Sequence, residues 1–237
     1  MSEQAVKPER GDVVAVEYTV REKATSRVVD TTSEEVAKEH GIYKDGAAYG
    51  PRLVILGAGE IPPGLEEALL DMREGEEREV EVPPEKAFGV RDPEKVRVIP
   101  ARELSARGIV PRAGMEVEVR GEWGTVISVG GGRVIIDFNH PLAGKELVYR
   151  VKLAKVYKSP EEKVKALFEK HVASVEASLN LSNGDLIVTV PFQALSSPET
   201  LSAISDFARD VERYVSEVKA VRLSVTVFER KEAANQP

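Results

Sequence analysis

The side chains that most often carry out chemistry are scarce in this chain. None of its 237 residues is cysteine, which excludes thiolate nucleophiles, zinc–thiolate sites and disulfides. The three histidines, His40, His140 and His171, are widely separated, so the sequence predicts no metal site. Gly130-Gly131-Gly132 is followed by neither Lys-Ser/Thr nor a helix pattern, which predicts a turn rather than a phosphate loop. We therefore expect neither a metal nor a cofactor.

Three single residues allow more than one interpretation. Asp30 is either a pocket carboxylate that orients Tyr18 or a simple turn residue. His140 is either a ligand or acid–base group or a residue that braces its loop, and its position between Asn and Pro favours the brace. His171 falls on the apolar side of a predicted helix, which indicates a core position.

The most distinctive stretch runs from Ile55 to Leu70 and predicts a strand, a loop and the start of a helix. Its loop contains two glycines, which reach backbone angles that strain other residues, and then two prolines, which can open a helix but not continue one. The apolar residues that follow recur at helical spacing and predict a stripe packed on a sheet. Ile61 and Leu65 would then lie at the N-terminal mouth of the helix, near a groove. The alternative is a helix that does nothing more than pack on a sheet.

Charge and composition restrict the class of partner. The chain has 33 Lys and Arg against 40 Asp and Glu, and this net charge of -7 argues against nucleic acid or an anionic membrane surface as the main partner. Polypeptides or small molecules are the expected partners. Met1 to Arg10 is polar, and no stretch approaches the roughly 18 to 20 apolar residues that a membrane span requires. We expect a soluble, cytoplasmic protein.

The first part of the chain shows strand periodicity. Apolar residues alternate with polar ones from Val14 to Val20, and Glu77 to Val82 forms a second, half-exposed strand pattern. Thr32-Ser33-Glu34-Glu35 matches a capping box and predicts a short helix.

A different pattern begins after Phe88-Gly89. It consists of a short helix around Ala101 to Ala106 and three strands, namely Met115–Val119, Thr125–Val129 and Arg133–Phe138. The earlier pattern resumes only after Asn139 to Gly144, which indicates a small inserted unit over residues 90–138.

The last part of the chain predicts a compact unit with the order α-β-β-α-β. Ser159-Pro160 begins a capped helix. The later elements are strands at Val175–Asn180 and Leu186–Val190, a helix from Ser197-Pro198 and a strand at Val221–Val227. The long apolar stripe of the second helix favours self-association of this unit, with simple capping of the main domain as the alternative.

Five motifs taken together resemble the FKBP-type peptidyl-prolyl isomerases. They are Tyr18 in the first strand, Val29-Asp30, Gly64-Leu65-Glu66-Glu67-Ala68-Leu69, Ala87-Phe88-Gly89, and Asn139-His140-Pro141-Leu142-Ala143-Gly144 before the strand at Tyr149. Their order and spacing are similar to the long, SlyD-like form of archaea and bacteria. That form has an insert-in-flap chaperone domain at the position of the inserted unit. The resemblance covers about residues 10 to 157.

The resemblance implies an α+β fold and a set of site residues. The fold would be a curved antiparallel half-barrel around one helix, with the β-rich insert and the α-β-β-α-β domain added. The catalytic residues around a bound prolyl ring would be Tyr18, Asp30, Ile61, Leu65, Phe88 and Tyr149. Substrate would also contact Val29, Leu56, Pro62, Leu142 and His140.

Two residues depart from the family pattern. The family usually has a free backbone N–H directly after the position of Ile61, where this chain has Pro62. It commonly has Tyr where this chain has Phe88, which lacks the hydroxyl. Each lost hydrogen bond would weaken transition-state binding by about 0.5 to 1.5 kcal/mol. A register in which Pro63 begins the helix and another N–H stays free would compensate.

These observations predict three domains and one main activity. Residues 1–89 with 139–158 would form the isomerase domain, 90–138 the insert, and 159–237 the C-terminal domain. The expected function is isomerisation of X-Pro bonds in unfolded or partly folded polypeptides, with holdase activity in the insert and a homodimer through 159–237. The alternative is a chaperone or assembly module on the same scaffold with little or no isomerase activity.

Overall fold

The computed structural model of this chain describes residues 6–172 and 175–228, and the elements named below belong to these ranges. The strands are β1 (Val13–Glu22), β2 (Val28–Thr31), β3 (Arg52–Ile55), β4 (Glu77–Val82), β5 (Val96–Pro100), β6 (Glu116–Val119), β7 (Glu122–Gly130), β8 (Arg133–Asp137), β9 (Leu147–Tyr157), β10 (Ser178–Ser182), β11 (Asp185–Pro191) and β12 (Ala220–Thr226). The α-helices are α1 (Glu34–Glu39), α2 (Pro63–Asp71), α3 (Ala101–Ser105), α4 (Pro160–Val172) and α5 (Pro198–Tyr214). The molecule combines helices with mainly antiparallel sheet.

The first sheet has five antiparallel strands and is organised around β1. Strand β9 pairs with β1 along its whole length, and β4 pairs with the far side of β9. On its other edge, β1 pairs with β3 in its first half and with β2 in its second half. The first turn of α1 is capped by Ser33, whose hydroxyl accepts from the backbone N–H of Val36 at 3.4 Å. The predicted cap at Thr32 is therefore wrong by one residue, because the Thr32 hydroxyl instead accepts from the backbone N–H of Tyr18.

Helix α2 belongs to the hydrophobic core of this first sheet. Its buried residues, Leu65 and Leu69, share one cluster with side chains of β1 and β9. Gly64 allows the helix to approach β4 closely, because a Cβ at this position would lie only 2.7 Å from Cγ1 of Val82. The glycine of the Gly-Leu-Glu-Glu motif is thus required by packing.

The chain between β4 and β9 forms a separate four-stranded sheet with the order β5-β8-β7-β6. Helix α3 closes its core, in which Leu104 and Ile136 are fully buried. The base of this unit is tied together by Asn139, whose side chain accepts from the backbone N–H of Asp92 at 2.9 Å and donates to its carbonyl at 2.8 Å.

The C-terminal sheet has the order β10-β11-β12, with β11 and β12 parallel. Its core contains Phe207 of α5 and Leu167 of α4, and it also includes Val13 and Ile55 from the first sheet. Helix α4 therefore packs against both units. The strand predicted from Val175 begins at Ser178 instead, and residues 173 and 174 lie outside the described ranges.

Candidate active site

Most of the residues named from the sequence meet at one place on the first sheet. Tyr18, Ile61 and Tyr149 are almost completely buried in its hydrophobic cluster. Three half-buried side chains pack against the same cluster, namely Val29, Phe88 and Leu142. The structure thus brings together residues from β1, β2 and β9, from the loop before α2 and from the loops on both sides of the insert.

The two tyrosines lie side by side because of the strand register. Tyr18 is opposite Val151, and Tyr149 is opposite Val20, so both rings point to the same face of the sheet. Their centroids are 6.1 Å apart with an edge-to-face angle of 60°. Burial, with the nearby Asp30 carboxylate, raises the pKa of both hydroxyls above the usual value for tyrosine. Both side chains are neutral at physiological pH.

A short polar network lies at one end of the tyrosine pair. The Tyr18 hydroxyl donates to Oδ2 of Asp30 at 2.8 Å and accepts from Nη1 of Arg52 at 3.2 Å. The other carboxylate oxygen of Asp30 accepts from the backbone N–H of Thr31 at 2.9 Å. The Asp30 carboxylate therefore fixes the orientation of the Tyr18 hydroxyl.

The loop before α2 provides a backbone donor beside the cluster. Pro62 caps the helix and Pro63 is its first residue, so neither position offers an N–H. The carbonyl of Pro62 accepts from the backbone N–H groups of Leu65 and Glu66, both at 3.0 Å. Within the described ranges, no acceptor bonds the N–H of Ile61. The N–H of Ile61, the last one before the two prolines, is therefore free to donate to a ligand.

Phe88 and His140 form a stacked pair at the other side of the cluster. Their ring centroids are 4.2 Å apart and the planes differ by 2°. Nδ1 of His140 accepts from the backbone N–H of Leu142 at 3.1 Å. Partial burial lowers the pKa of His140, so its ring is neutral at physiological pH. These contacts fit a residue that braces its loop and supports the Phe88 ring.

Two of the expected contact residues lie beneath the surface. Leu56 and Leu65 have almost no exposed area. They form the base of the cluster, whereas the expectation from the resemblance was direct contact with a prolyl ring. Pro62 is half-buried at the N-terminal end of α2.

Arg52 is a site residue that the sequence reasoning missed. It lies at the start of β3, just before the apolar run from Leu53 to Ile55, where a charged residue interrupts the strand pattern. Its bond to Tyr18 joins residues 34 positions apart, which strand periodicity does not predict. Desolvation would lower the pKa of Arg52, but the contacts with Tyr18 and Asp30 outweigh it and raise that pKa.

The remaining candidate groups have structural partners. Nε2 of His171 lies 2.7 Å from Oδ2 of Asp210, so this histidine links α4 to α5 instead of lying in an apolar core. Among the residues that the structure describes, no group of three or more His, Cys, Asp or Glu is arranged to hold a metal ion. No helix in the described ranges is long and apolar enough to cross a membrane.

Comparison with known proteins gives matches to one kind of protein. A family profile described as "FKBP26, IF domain" matches residues 97–142. The short-type peptidyl-prolyl cis-trans isomerase of Methanocaldococcus jannaschii is 39% identical over 153 residues, which are 65% of this chain and 96% of the relative. The FKBP-type isomerases SlyD of Helicobacter pylori and Treponema pallidum are each 33% identical and are covered over 76% and 81% of their lengths.

A likeness to a solved structure is weaker. The crystal structure of the three FKBP domains of wheat FKBP73 aligns with 66% of this chain and 43% of its own chain, at 18% identity and a TM-score of 0.36. A score of this size is too low to establish a shared fold. The sequence relatives establish the relationship by themselves, and this chain covers 96% of the length of one of them. The chain belongs to the FKBP-type peptidyl-prolyl cis-trans isomerases, in their SlyD-like form with an insert-in-flap domain.

Proposed function

We propose that this chain accelerates cis–trans isomerisation of X-Pro bonds in unfolded or partly folded polypeptides. The observation that carries the proposal is the apolar cluster of Tyr18, Ile61 and Tyr149, against which the half-buried side chains of Phe88 and Leu142 pack. We take the accessible edge of this cluster as an apolar groove for a prolyl ring, and the membership of the chain in the isomerase family supports this substrate class.

The reaction requires no covalent step. Resonance in the planar amide creates a rotational barrier of about 18 to 20 kcal/mol, and the twisted amide at the top of this barrier is the species to be stabilised. A site lowers the barrier when it binds the twisted form better than either planar isomer. Apolar walls favour the twisted amide because its carbonyl is less polar than that of the planar amide.

We assign two hydrogen-bonding roles in the groove. The backbone N–H of Ile61 would donate to the carbonyl of the substrate, a role that the sequence reasoning had given to the position of Pro62. The Tyr18–Asp30–Arg52 network would hold the Tyr18 ring in place against the prolyl ring, since each of its hydrogen bonds fixes the hydroxyl. Phe88 contributes an apolar wall without a donor.

Proline-limited refolding of a denatured protein tests this proposal. Wild-type chain at catalytic concentration should accelerate the slow phase, and Phe88→Ala should reduce the acceleration about tenfold, because it removes one apolar wall. Phe192→Ala is the matched control, since that ring is 55% exposed on the C-terminal unit and lies outside the groove. No acceleration by the wild type would refute the isomerase proposal.

We also propose that the insert binds unfolded chains and acts as a holdase. Its exposed apolar side chains include Val90, Val98, Val110, Met115, Trp123, Ile127 and Val129. Trp123 is 66% exposed. These side chains would supply the apolar contact area for an unfolded chain, and the attachment of the insert between Phe88 and Leu142 would keep a bound chain near the isomerase site.

Suppression of aggregation provides the corresponding test. Substitution of Trp123 by Ser should weaken suppression, because it removes the largest exposed apolar side chain of the insert. The same variant should accelerate isomerisation of short peptides as well as the wild type does, since short peptides bind only the groove. Equal suppression by wild type and Trp123→Ser would count against the holdase role. Retained suppression with no isomerisation would favour the alternative of a chaperone on an FKBP scaffold.

For the C-terminal unit we propose a homodimer through β12. This strand is an edge of its sheet, and its apolar side chains Leu223 and Val225 remain exposed, as do Val227 and Phe228 beyond it. An exposed apolar edge strand is a site for pairing with a second chain. Sedimentation should show a dimer for the wild type and a monomer for Leu223→Glu. A monomeric wild type would leave only the capping role.

A further inference from the structure

Two exposed arginines of the insert, Arg102 and Arg133, line one surface cavity of about 450 Å³. The other residues that line it are Val98, Pro100, Ala101, Gly131 and Gly132. Strand β5 begins, and its partner β8 ends, where the insert is attached to the first sheet, so the cavity lies at the opposite end of both strands. We call these seven residues the tip of the insert.

The backbone fixes the two arginines relative to each other. Gly131 and Gly132 form the tight turn between β7 and β8, with φ angles of 57° and 73° that favour glycine. The carbonyl of Gly132 accepts from the backbone N–H of Ala101 at 2.9 Å, so the start of α3 is bound to this turn. Arg102 and Arg133 directly follow the two bonded residues. Both side chains therefore start from a rigid base.

The arginines of the tip differ from three others in the insert, which are paired with carboxylates. The paired ones form the salt bridges Arg91–Asp137, Arg97–Glu122 and Arg120–Glu103. Within the described ranges, neither Arg102 nor Arg133 has a carboxylate partner, and the backbone N–H groups of the glycine turn have no acceptor. Two like charges beside one cavity repel each other, and a bound anion compensates both. The tip thus offers uncompensated donors to an acidic ligand.

An apolar strip leads to these arginines along the outer face of the sheet. Val98 lies opposite Ile135, and Pro100 lies opposite Arg133, so all four side chains share one face. Val98 is 57% exposed. It is two residues from Pro100, a distance of about 7 Å along the strand. A ligand in contact with Val98 therefore reaches the arginines two or three residues further along its own chain.

The charge distribution favours the insert as the place where an acidic chain approaches. Residues 90–138 contain eight Lys and Arg against seven Asp and Glu, whereas the whole chain has 33 against 40. The negative charge of the protein therefore lies outside the insert. Arginine binds carboxylates and phosphates equally well in geometry, but the apolar strip and the net charge of -7 favour a polypeptide over a nucleic acid.

We propose that the tip of the insert is a docking site for acidic segments of unfolded chains, in which a carboxylate follows or precedes a large apolar side chain by two or three residues. The inference rests on the proposed holdase role of the insert. The apolar side chain would lie on Val98, and the carboxylate would bind Arg102 and Arg133. The holdase would then select its clients by charge as well as by apolar content.

Two matched peptides test the site on the full-length protein. Both are labelled, of equal length and free of proline, so that they do not report the isomerase groove. Each carries several Leu residues, followed two residues later by Glu in one peptide and by Gln in the other. At about 50 mM salt, fluorescence anisotropy should give a Kd for the Glu peptide about three to ten times lower than for the Gln peptide. The ratio should approach one at about 500 mM salt.

Substitutions of single arginines locate the preference. Arg102→Gln and Arg133→Gln should each reduce the ratio of the two Kd values to less than about two. Arg112→Gln is the matched control, because it removes the same charge from an exposed arginine of the insert outside this cavity, and it should keep the wild-type ratio. A thermal unfolding midpoint equal to that of the wild type shows that a variant is folded.

The outcomes separate the two proposals. If the wild type binds neither peptide, the holdase role is wrong and the docking site with it. If it binds both peptides equally, or if the ratio survives in both folded variants of the tip, the docking site is wrong and the holdase role stands. If single-stranded oligothymidylate of the same length binds more tightly than the Glu peptide and loses this affinity in the tip variants, the site binds phosphates, and the assignment to acidic polypeptides is wrong.

Discussion

Replacing Asp12 with Ala should destabilise the attachment of α4 to the first sheet. Asp12 is almost completely buried, and its carboxylate lies 2.5 Å from Nζ of Lys158 and 3.0 Å from Nζ of Lys163. It also accepts from the backbone N–H of Glu9 at 2.8 Å. Removing the carboxylate leaves these donors without their acceptor at a place where water has little access.

The magnitude follows from how much of each lysine remains in contact with water. Breaking a fully buried ion pair costs about 3 to 5 kcal/mol. The Lys163 side chain is 16% exposed, so its charge would lose its carboxylate partner with little water to replace it. The Lys158 side chain is 37% exposed and can turn towards solvent. We therefore expect a loss of about 2 to 3 kcal/mol in the free energy of unfolding.

Urea denaturation measures this loss as a lower midpoint at unchanged slope. Glu9→Ala is the matched control, because the Glu9 side chain is 83% exposed and its carboxylate is as far as 3.9 Å from Nζ of Lys158. This substitution should change the free energy of unfolding by less than about 0.5 kcal/mol. If Asp12→Ala and Glu9→Ala have equal effects, the buried ion pair does not stabilise the junction.

The pH dependence gives the sign of the same contribution. Burial alone would raise the pKa of Asp12, but the hydrogen bonds from Lys158, Lys163 and the Glu9 backbone outweigh it and lower that pKa. A carboxyl group with a lowered folded-state pKa stabilises the protein above its unfolded pKa of about 3.9 and loses that contribution as the pH falls through the folded value. The difference between wild type and Asp12→Ala should be complete at pH 6 and shrink below about pH 4.

Two further predictions concern the groove and its supporting helix. Tyr18→Phe removes the hydroxyl that joins Asp30 to Arg52, so kcat/KM for a short X-Pro peptide should fall about two- to tenfold with stability nearly unchanged. An unaltered kcat/KM would show that the network has no catalytic role. Gly64→Ala places a methyl group 2.7 Å from Val82, so urea denaturation should show a loss of about 1 to 3 kcal/mol in the free energy of unfolding, despite the better helix propensity of alanine. A gain in stability would mean that α2 can move away from β4.

Local sequence patterns predicted the strands and those groove residues whose partners are close in the sequence. Strand alternation places Tyr18 on the buried face of β1, and the β1–β2 hairpin brings back Asp30, which is twelve positions further along the chain. Arg52, which also bonds the Tyr18 hydroxyl, is on a third strand, whose pairing with β1 is not encoded in any short pattern. From the sequence, the donor was expected at the position after Ile61, which is Pro62. A sequence does not show which backbone N–H groups remain free at the start of a helix.

Contacts between units were the part that the sequence could not supply. Alternation would place Val13 on the solvent side of β1, but Val13 is fully buried because the C-terminal core extends to this end of the strand. The pairs Asp12–Lys163 and Glu60–Lys170 each join residues more than 100 positions apart. Charged residues are common throughout the chain, so nothing marks these particular ones as partners. Only the docked position of α4 defines them.

The decisive measurement is isomerisation of a four-residue X-Pro peptide by the wild-type chain. A catalytic amount of protein should accelerate cis–trans exchange, and the acceleration should be constant between pH 7 and 9. Over that range the raised pKa values of Tyr18 and Tyr149 keep both hydroxyls protonated, and the lowered pKa of His140 keeps its ring neutral. Exchange at the spontaneous rate, or an acceleration that titrates within this range, would contradict a non-covalent apolar groove.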